Sequence, residues 1–223
     1  MTAAALPVLP GTIEERSAVV TAACRLLGRA LAHALFRIDV QGGEHVPSAG
    51  PVLVAGNHRG FLDGPLVFLL LPRPTAVLAK SEIFVGVWTR LWRRLDVIPV
   101  RRGAPDRAAL RAGLHALQRG SALTVFPEGT RGQGRLESVT DGLAWLALRS
   151  GARVVPVSIT GTDEAVPRGT WRPRLRSQVV LRFGAPFAVE VPGDPRARST
   201  VRAAAERIRA GLLEHVDAGA AQR

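Results

Sequence analysis

The sequence predicts an α/β domain built on a mixed, mainly parallel central sheet flanked by helices. Three observations carry that expectation. Short runs rich in Val, Ile, Leu and Phe alternate with helical stretches along most of the chain. Those stretches are long enough to serve as crossovers between parallel strands. A chain of 223 residues with 47% apolar and 22% charged side chains suits one compact domain with a buried core, and excludes a fibrous or wholly disordered protein.

Residues 13–36 read as one long amphipathic helix, with Thr12 a candidate N-cap and Glu14 and Glu15 in the first turn, where negative charge suits the helix dipole. Thr21, Arg25, Arg29, His33 and Arg37 recur at every fourth position, so neighbours share one slowly drifting face. Two placements fit this pattern. The helix can lie in a membrane interface with its arginines at the headgroups, or cover the domain with a solvated charged stripe. The charges make a bilayer crossing costly. No basic region followed by an apolar stretch and a small-residue cleavage site is present, so export is not expected.

Candidate strands then fall at residues 37–40, 51–55, 75–79, 97–100, 122–126, 153–159 and 178–183, each a short β-branched or apolar run. Candidate helices lie between and after them at 64–71, 83–95, 105–119, 139–150 and 199–215. Residues 167–173 break the periodicity with two prolines and read as a loop. The expected organisation is an N-terminal amphipathic segment, 1–36, a main domain, 37–217, and a flexible tail, 218–223.

The formal net charge of +12 draws polyanions to the surface: nucleic acid, anionic lipid headgroups or phosphorylated metabolites. Part of it is a compositional bias, since Lys80 is the only lysine in an arginine-rich chain. Nucleic acid is disfavoured as a partner, because no recognition motif appears and the only basic-aromatic cluster is the helix carrying Trp88, Trp92, Arg90, Arg93 and Arg94. That helix suits a bilayer interface equally with a packed core position. One cysteine, Cys24, excludes an intramolecular disulfide and a multi-cysteine zinc site.

Two constellations can carry chemistry. The first, Asn57-His58-Arg59-Gly60-Phe61-Leu62-Asp63, follows an apolar strand, where ligands of open α/β sheets sit. Five residues of continuous helix would set His58 and Asp63 about 140° apart. They meet only if the segment turns, and Gly60 makes that turn plausible. The carboxylate then orients one imidazole nitrogen and leaves the other as a base. Alternatively, Asp63 caps the helix at Pro65 and His58 is an ordinary loop histidine.

The second, Phe126-Pro127-Glu128-Gly129-Thr130-Arg131-Gly132, also ends an apolar strand. Its glycines admit close approach of an anion, and the Arg131 guanidinium can fork onto phosphate. Glu128 is assigned to orienting Arg131 or a donor hydroxyl. A solvated surface turn is the plain alternative. Lys80 and Arg101 follow two further strands and are candidates to line the same site. No metal-ligand spacing is seen among the five histidines and nearby carboxylates, so no metal is expected.

Together these segments resemble the lysophosphatidic-acid and glycerol-phosphate acyltransferase superfamily, whose members carry a histidine, four variable residues and an aspartate, here His58 to Asp63, and a Phe-Pro-Glu-Gly-Thr-Arg, here complete at residues 126–131. Similarity extends through Lys80-Ser81-Glu82, Ile98-Pro99-Val100-Arg101, Val154-Val155-Pro156-Val157 and Gly161-Thr162, covering residues 35–162. Ser138-Val139-Thr140-Asp141 departs from the Pro-Phe-Lys-type segment of many members.

The resemblance implies catalysis by His58 and Asp63, with substrate binding by Lys80, Arg101, Glu128, Gly129, Thr130 and Arg131. The implied reaction moves a fatty-acyl group from acyl-CoA or acyl carrier protein to lysophosphatidic acid, forming phosphatidic acid without a cofactor. Glycerol 3-phosphate or another lipid hydroxyl is the alternative acceptor, and a non-catalytic anionic-lipid-binding module the alternative function. The expected location is peripheral, on the cytoplasmic face of a membrane.

Overall fold

The computed structural model describes residues 18–101, 106–128, 136, 139–170 and 172–221. Among them the chain order is α1 (Ala18–Leu35), β1 (Arg37–Gln41), β2 (Val52–Gly56), α2 (Asp63–Leu70), β3 (Thr75–Lys80), α3 (Gly86–Arg94), β4 (Val97–Val100), α4 (Arg107–Gln118), β5 (Ala122–Val125), α5 (Asp141–Ser150), β6 (Arg153–Thr160), α6 (Thr162–Ala165), β7 (Gln178–Phe183) and α7 (Arg198–Ala221). All seven expected strands form. The short α6 was not anticipated, and α7 runs on to Ala221 where a flexible tail was expected. Thr12, Glu14 and Glu15 lie outside the described residues.

The strands make one sheet in the order β1-β7-β6-β2-β5-β3-β4. Five of them, β6, β2, β5, β3 and β4, are mutually parallel, so their carboxyl ends share one edge. β7 runs antiparallel to β6, and β1 parallel to β7. Side chains alternate between the faces with period two. Leu53, Ala55, Leu123 and Val154 pack with α4, α5 and α7 through Leu117, Leu143, Leu146, Ile208 and Leu212. Val52, Val54, Val155, Val157 and Leu181 pack on the other face against Ala32, Phe36, Leu66, Val67 and Leu70, from α1, its C-terminal junction and α2.

The arginine stripe of α1 faces inward, contrary to both placements considered from the sequence. The Arg25 guanidinium donates to the carbonyl of Leu71, and Arg29 donates to those of Leu69 and Leu71. These carbonyls end α2, where intrahelical donors run out and positive charge is favoured. Burial, with Arg29 adjacent, lowers the Arg25 pKa to about 10. Val19, Leu26, Leu27 and Leu31 are left exposed on the other side of α1. The Leu69 and Leu71 carbonyls at the end of α2 thus take both guanidiniums, and the leucines of α1 face outward.

Candidate active site

β2 delivers His58 to the shared carboxyl edge. Asn57, 2% exposed, pins the exit of β2 by donating from Nδ2 to the Ile159 carbonyl and accepting the Ile159 N–H, both at 2.8 Å. Its amide thereby extends the β2–β6 ladder by one side chain. The next segment turns, and the His58 ring reaches Asp63: Nδ1 lies 2.8 Å from Oδ2. A carboxylate only accepts, so Nδ1 carries the hydrogen and Nε2 is the basic nitrogen of the neutral ring. The Phe126 ring, at the exit of β5, stacks on the imidazole with centroids 4.5 Å apart and planes inclined by 23°.

Asp63 is fully buried and sits in the first turn of α2. It makes no forward cap; its Oδ2 instead accepts the N–H groups of Arg59 at 2.7 Å and Gly60 at 2.8 Å. The carboxylate therefore holds both the imidazole and the loop that carries it. Gly60 is required by space, because a Cβ there would lie 2.7 Å from the backbone carbon and hydroxyl of Thr162.

Glu128 makes a contact beyond the role expected of it. Its Oε1 accepts the His58 N–H at 3.2 Å, so its carboxylate braces the histidine's backbone. Burial raises its pKa above the ordinary value, reinforced by the negative Asp63 and opposed by the His58 N–H, the His58 ring and the Leu136 N–H. A raised folded value means that the protonated state is favoured in the fold, a contribution present below pH 4.5 and lost as pH rises through the folded value. Glu128→Gln keeps an acceptor for the His58 N–H without the buried charge. The variant is expected to melt higher than the parent near neutral pH, with the difference closing below pH 4.5. Melting curves across that range check it; a variant that melts lower near neutrality would show that the carboxylate charge stabilises this corner.

Strand order arranges the remaining candidates. β2, β5, β3 and β4 are successive neighbours, so His58, Glu128, Lys80 and Arg101 follow one another along the carboxyl edge. Lys80 ends β3 and registers with Val100, immediately before Arg101. Strand spacing puts β3 about 10 Å and β4 about 14 Å from β2. Arg101 is largely exposed; its backbone N–H donates to Asp106 Oδ2 at 2.9 Å, with its Nε 3.7 Å from that oxygen. Gly129, Thr130 and Arg131 lie outside the described residues.

On the outer surface, Trp88 is exposed beside Val85 and Val87, and the Trp92 indole donates to the Ile83 carbonyl at 3.1 Å. α3 buries none of its residues, so neither tryptophan is a core side chain. No helix among the described residues is long and apolar enough to cross a membrane.

Three of these features were missed from sequence: the Asn57 bridge, the Phe126 stack and the contact of Thr162 with the His58 loop. The available signals were an amide directly after a strand and a Gly-Thr pair at the exit of another. Neither names its partner.

Residues 37–160 match the family model described as Acyltransferase. The chain is 31% identical over 140 residues, 60% of its length, to a chloroplastic 1-acyl-sn-glycerol-3-phosphate acyltransferase of Arabidopsis thaliana, and 34% identical over 142 residues, 61% of its length, to a 1-acyl-sn-glycerol-3-phosphate acyltransferase of Limnanthes alba. It spans 39% and 50% of those two relatives. The crystal structure of the 1-acyl-sn-glycerophosphate acyltransferase PlsC from Thermotoga maritima superposes with a TM-score of 0.68 at 26% identity, covering 95% of this chain and 85% of that one.

Proposed function

Because this chain belongs to the Acyltransferase family, we propose that it transfers a fatty-acyl group from an acyl thioester to the free hydroxyl of lysophosphatidic acid, forming phosphatidic acid. The observation that carries this reading is the His58–Asp63 pair at the carboxyl edge of the sheet, with Lys80 and Arg101 along the same edge. In it, His58 Nε2 takes the proton of the acceptor hydroxyl as that oxygen attacks the thioester carbonyl. Asp63 stabilises the imidazolium. The tetrahedral intermediate collapses by breaking the carbon–sulfur bond, and the proton passes from His58 to the departing thiolate. No acyl-enzyme is required, since a thiolate already leaves readily. Lys80, Arg101 and Arg131, with Gly129 and Thr130, hold the acceptor phosphate; Glu128 braces His58.

In this reading the enzyme works peripherally at the cytoplasmic face of a membrane. Support comes from the exposed Val19, Leu26, Leu27 and Leu31 of α1 and from Val85, Val87 and Trp88 at α3, with Arg90 and Arg93 beside them. Apolar side chains next to cations suit an anionic bilayer surface.

The test offers palmitoyl-CoA or palmitoyl acyl carrier protein with lysophosphatidic acid or glycerol 3-phosphate, free and in anionic vesicles, to the parent and to a Leu27→Glu/Leu31→Glu variant. Phosphatidic acid is the expected product, with both vesicle binding and vesicle-borne turnover reduced in the variant. Acylation of glycerol 3-phosphate alone would reassign the acceptor, and vesicle binding without any product would leave a lipid-binding module.

A further inference from the structure

Three of the donors on Asp63 converge on one oxygen: the His58 imidazole, Arg59 N–H and Gly60 N–H all meet Oδ2. The other oxygen is met from a distant part of the chain. Thr162, at the first position of α6 and fully buried, donates its hydroxyl to Oδ1 at 2.5 Å.

The backbone around Thr162 is shaped for that contact. Gly161 adopts φ 83°, in the left-handed region, and a Cβ there would lie 2.0 Å from the Gln178 carbonyl oxygen. That conformation turns the chain sharply out of β6, and the bare Gly60 leaves room for Thr162 to press against the catalytic loop. The β6–α6 corner touches this loop at two further points: Ile159 on Asn57, and Asp163 on Arg59, whose Nη2 lies 3.1 Å from Oδ2 of Asp163.

We propose that Thr162 is a positioning residue for the His58–Asp63 pair, its hydroxyl holding the carboxylate so that Oδ2 stays directed at His58 Nδ1. A carboxylate can swing about its bond to Cβ. Three donors on one oxygen and none on the other would leave the second oxygen buried and unpaired, a state that draws the group toward any other donor. Thr162 closes that route. It also ties the catalytic loop to β6, so the orientation of His58 depends on a strand exit about one hundred residues away in sequence. Thr162 touches no reacting atom in this role.

This proposal rests on the acyl-transfer reading for its kinetic arm, and a spectroscopic arm tests it independently. Thr162→Val keeps the shape and removes the hydroxyl; Thr162→Ser keeps the hydroxyl; Thr162→Ala stands in if the valine variant does not fold. With lysophosphatidic acid and palmitoyl-CoA, Thr162→Val is expected to lose about tenfold in kcat, the scale of one hydrogen bond, with acceptor KM little changed. Thr162→Ser recovers most of the loss. In parallel, proton spectra of protein labelled with 15N-histidine read the His58 Nδ1–H, assigned by its absence in His58→Ala. The resonance is expected to be sharp in the parent and Thr162→Ser and lost to exchange in Thr162→Val.

An unchanged resonance together with an unchanged kcat in a folded Thr162→Val overturns the proposal. So does a serine variant as impaired as the valine one, since shape and not the hydroxyl would then matter. If the parent turns over no acceptor offered, the acyl-transfer reading fails, and the resonance alone decides the role of Thr162.

Discussion

Replacing His58 with alanine is expected to cut acyl transfer by at least about a thousandfold, within the range that loss of a positioned general base produces, while leaving the fold intact. The two halves of this expectation come from the same geometry. The imidazole is the group whose basic Nε2 the proposed mechanism uses, and among the described residues no other histidine ring meets Asp63. Its structural duties are small by comparison: one hydrogen bond to Asp63 and one stack against Phe126. In the variant Asp63 keeps its Arg59, Gly60 and Thr162 donors, so the buried carboxylate stays satisfied. Thiol release and mass spectrometry of the lipid product measure the loss, and a melting curve measures the fold. Retention of more than a tenth of the parent's activity in a folded His58→Ala protein would remove His58 from the mechanism.

Asp63 is expected to separate chemistry from stability according to which residue replaces it. In Asp63→Asn the side-chain oxygen can take the position of Oδ2 and accept the Arg59, Gly60 and His58 hydrogens, while the amide nitrogen donates to a reoriented Thr162 hydroxyl. The loop is retained. The negative charge that stabilises the imidazolium is lost, and kcat is expected to fall by about 10² to 10⁴, the span attributed to positioned acid–base groups. Asp63→Ala instead removes the acceptor altogether and leaves the Arg59 and Gly60 N–H groups without it. Two orphaned donors cost roughly 1–3 kcal/mol each, against a total stability of about 5–15 kcal/mol for a typical domain. The alanine variant is expected to melt about 5–20 °C lower, and the asparagine variant within a few degrees of the parent. Equal melting losses in both would show that the charge, and not the hydrogen-bond count, holds the loop.

Much of this architecture is legible along the chain because its signals are local. β-branched or apolar runs of four to seven residues marked all seven strands, and the central ones, buried on both faces, read as nearly continuous apolar segments. The His58–Asp63 pair was legible for the same reason: His58, Gly60 and Asp63 lie within one turn, and the glycine announces the bend that joins them. The helical stripe of α1 was also visible in the sequence, but its direction was not. Regular spacing places Arg25 and Arg29 on one face. Whether that face meets water, lipid or the open end of another helix depends on what lies opposite, and here it is the α2 carbonyls of Leu69 and Leu71.

Sequence alone thus determined the α/β class, the strands, and the identity and local geometry of the His58–Asp63 pair, because each is encoded within a few residues. Tertiary structure alone decided the strand order that lines up His58, Glu128, Lys80 and Arg101, the reversal of β1 and β7, the turning of Glu128 onto the His58 backbone, and the seating of Thr162 against Asp63. These contacts join segments 70 to about 100 residues apart. Hydrogen-bonding groups on such distant segments carry no sequence mark of one another; only the packing of the two sheet faces, which sets where each strand ends, brings donor to acceptor.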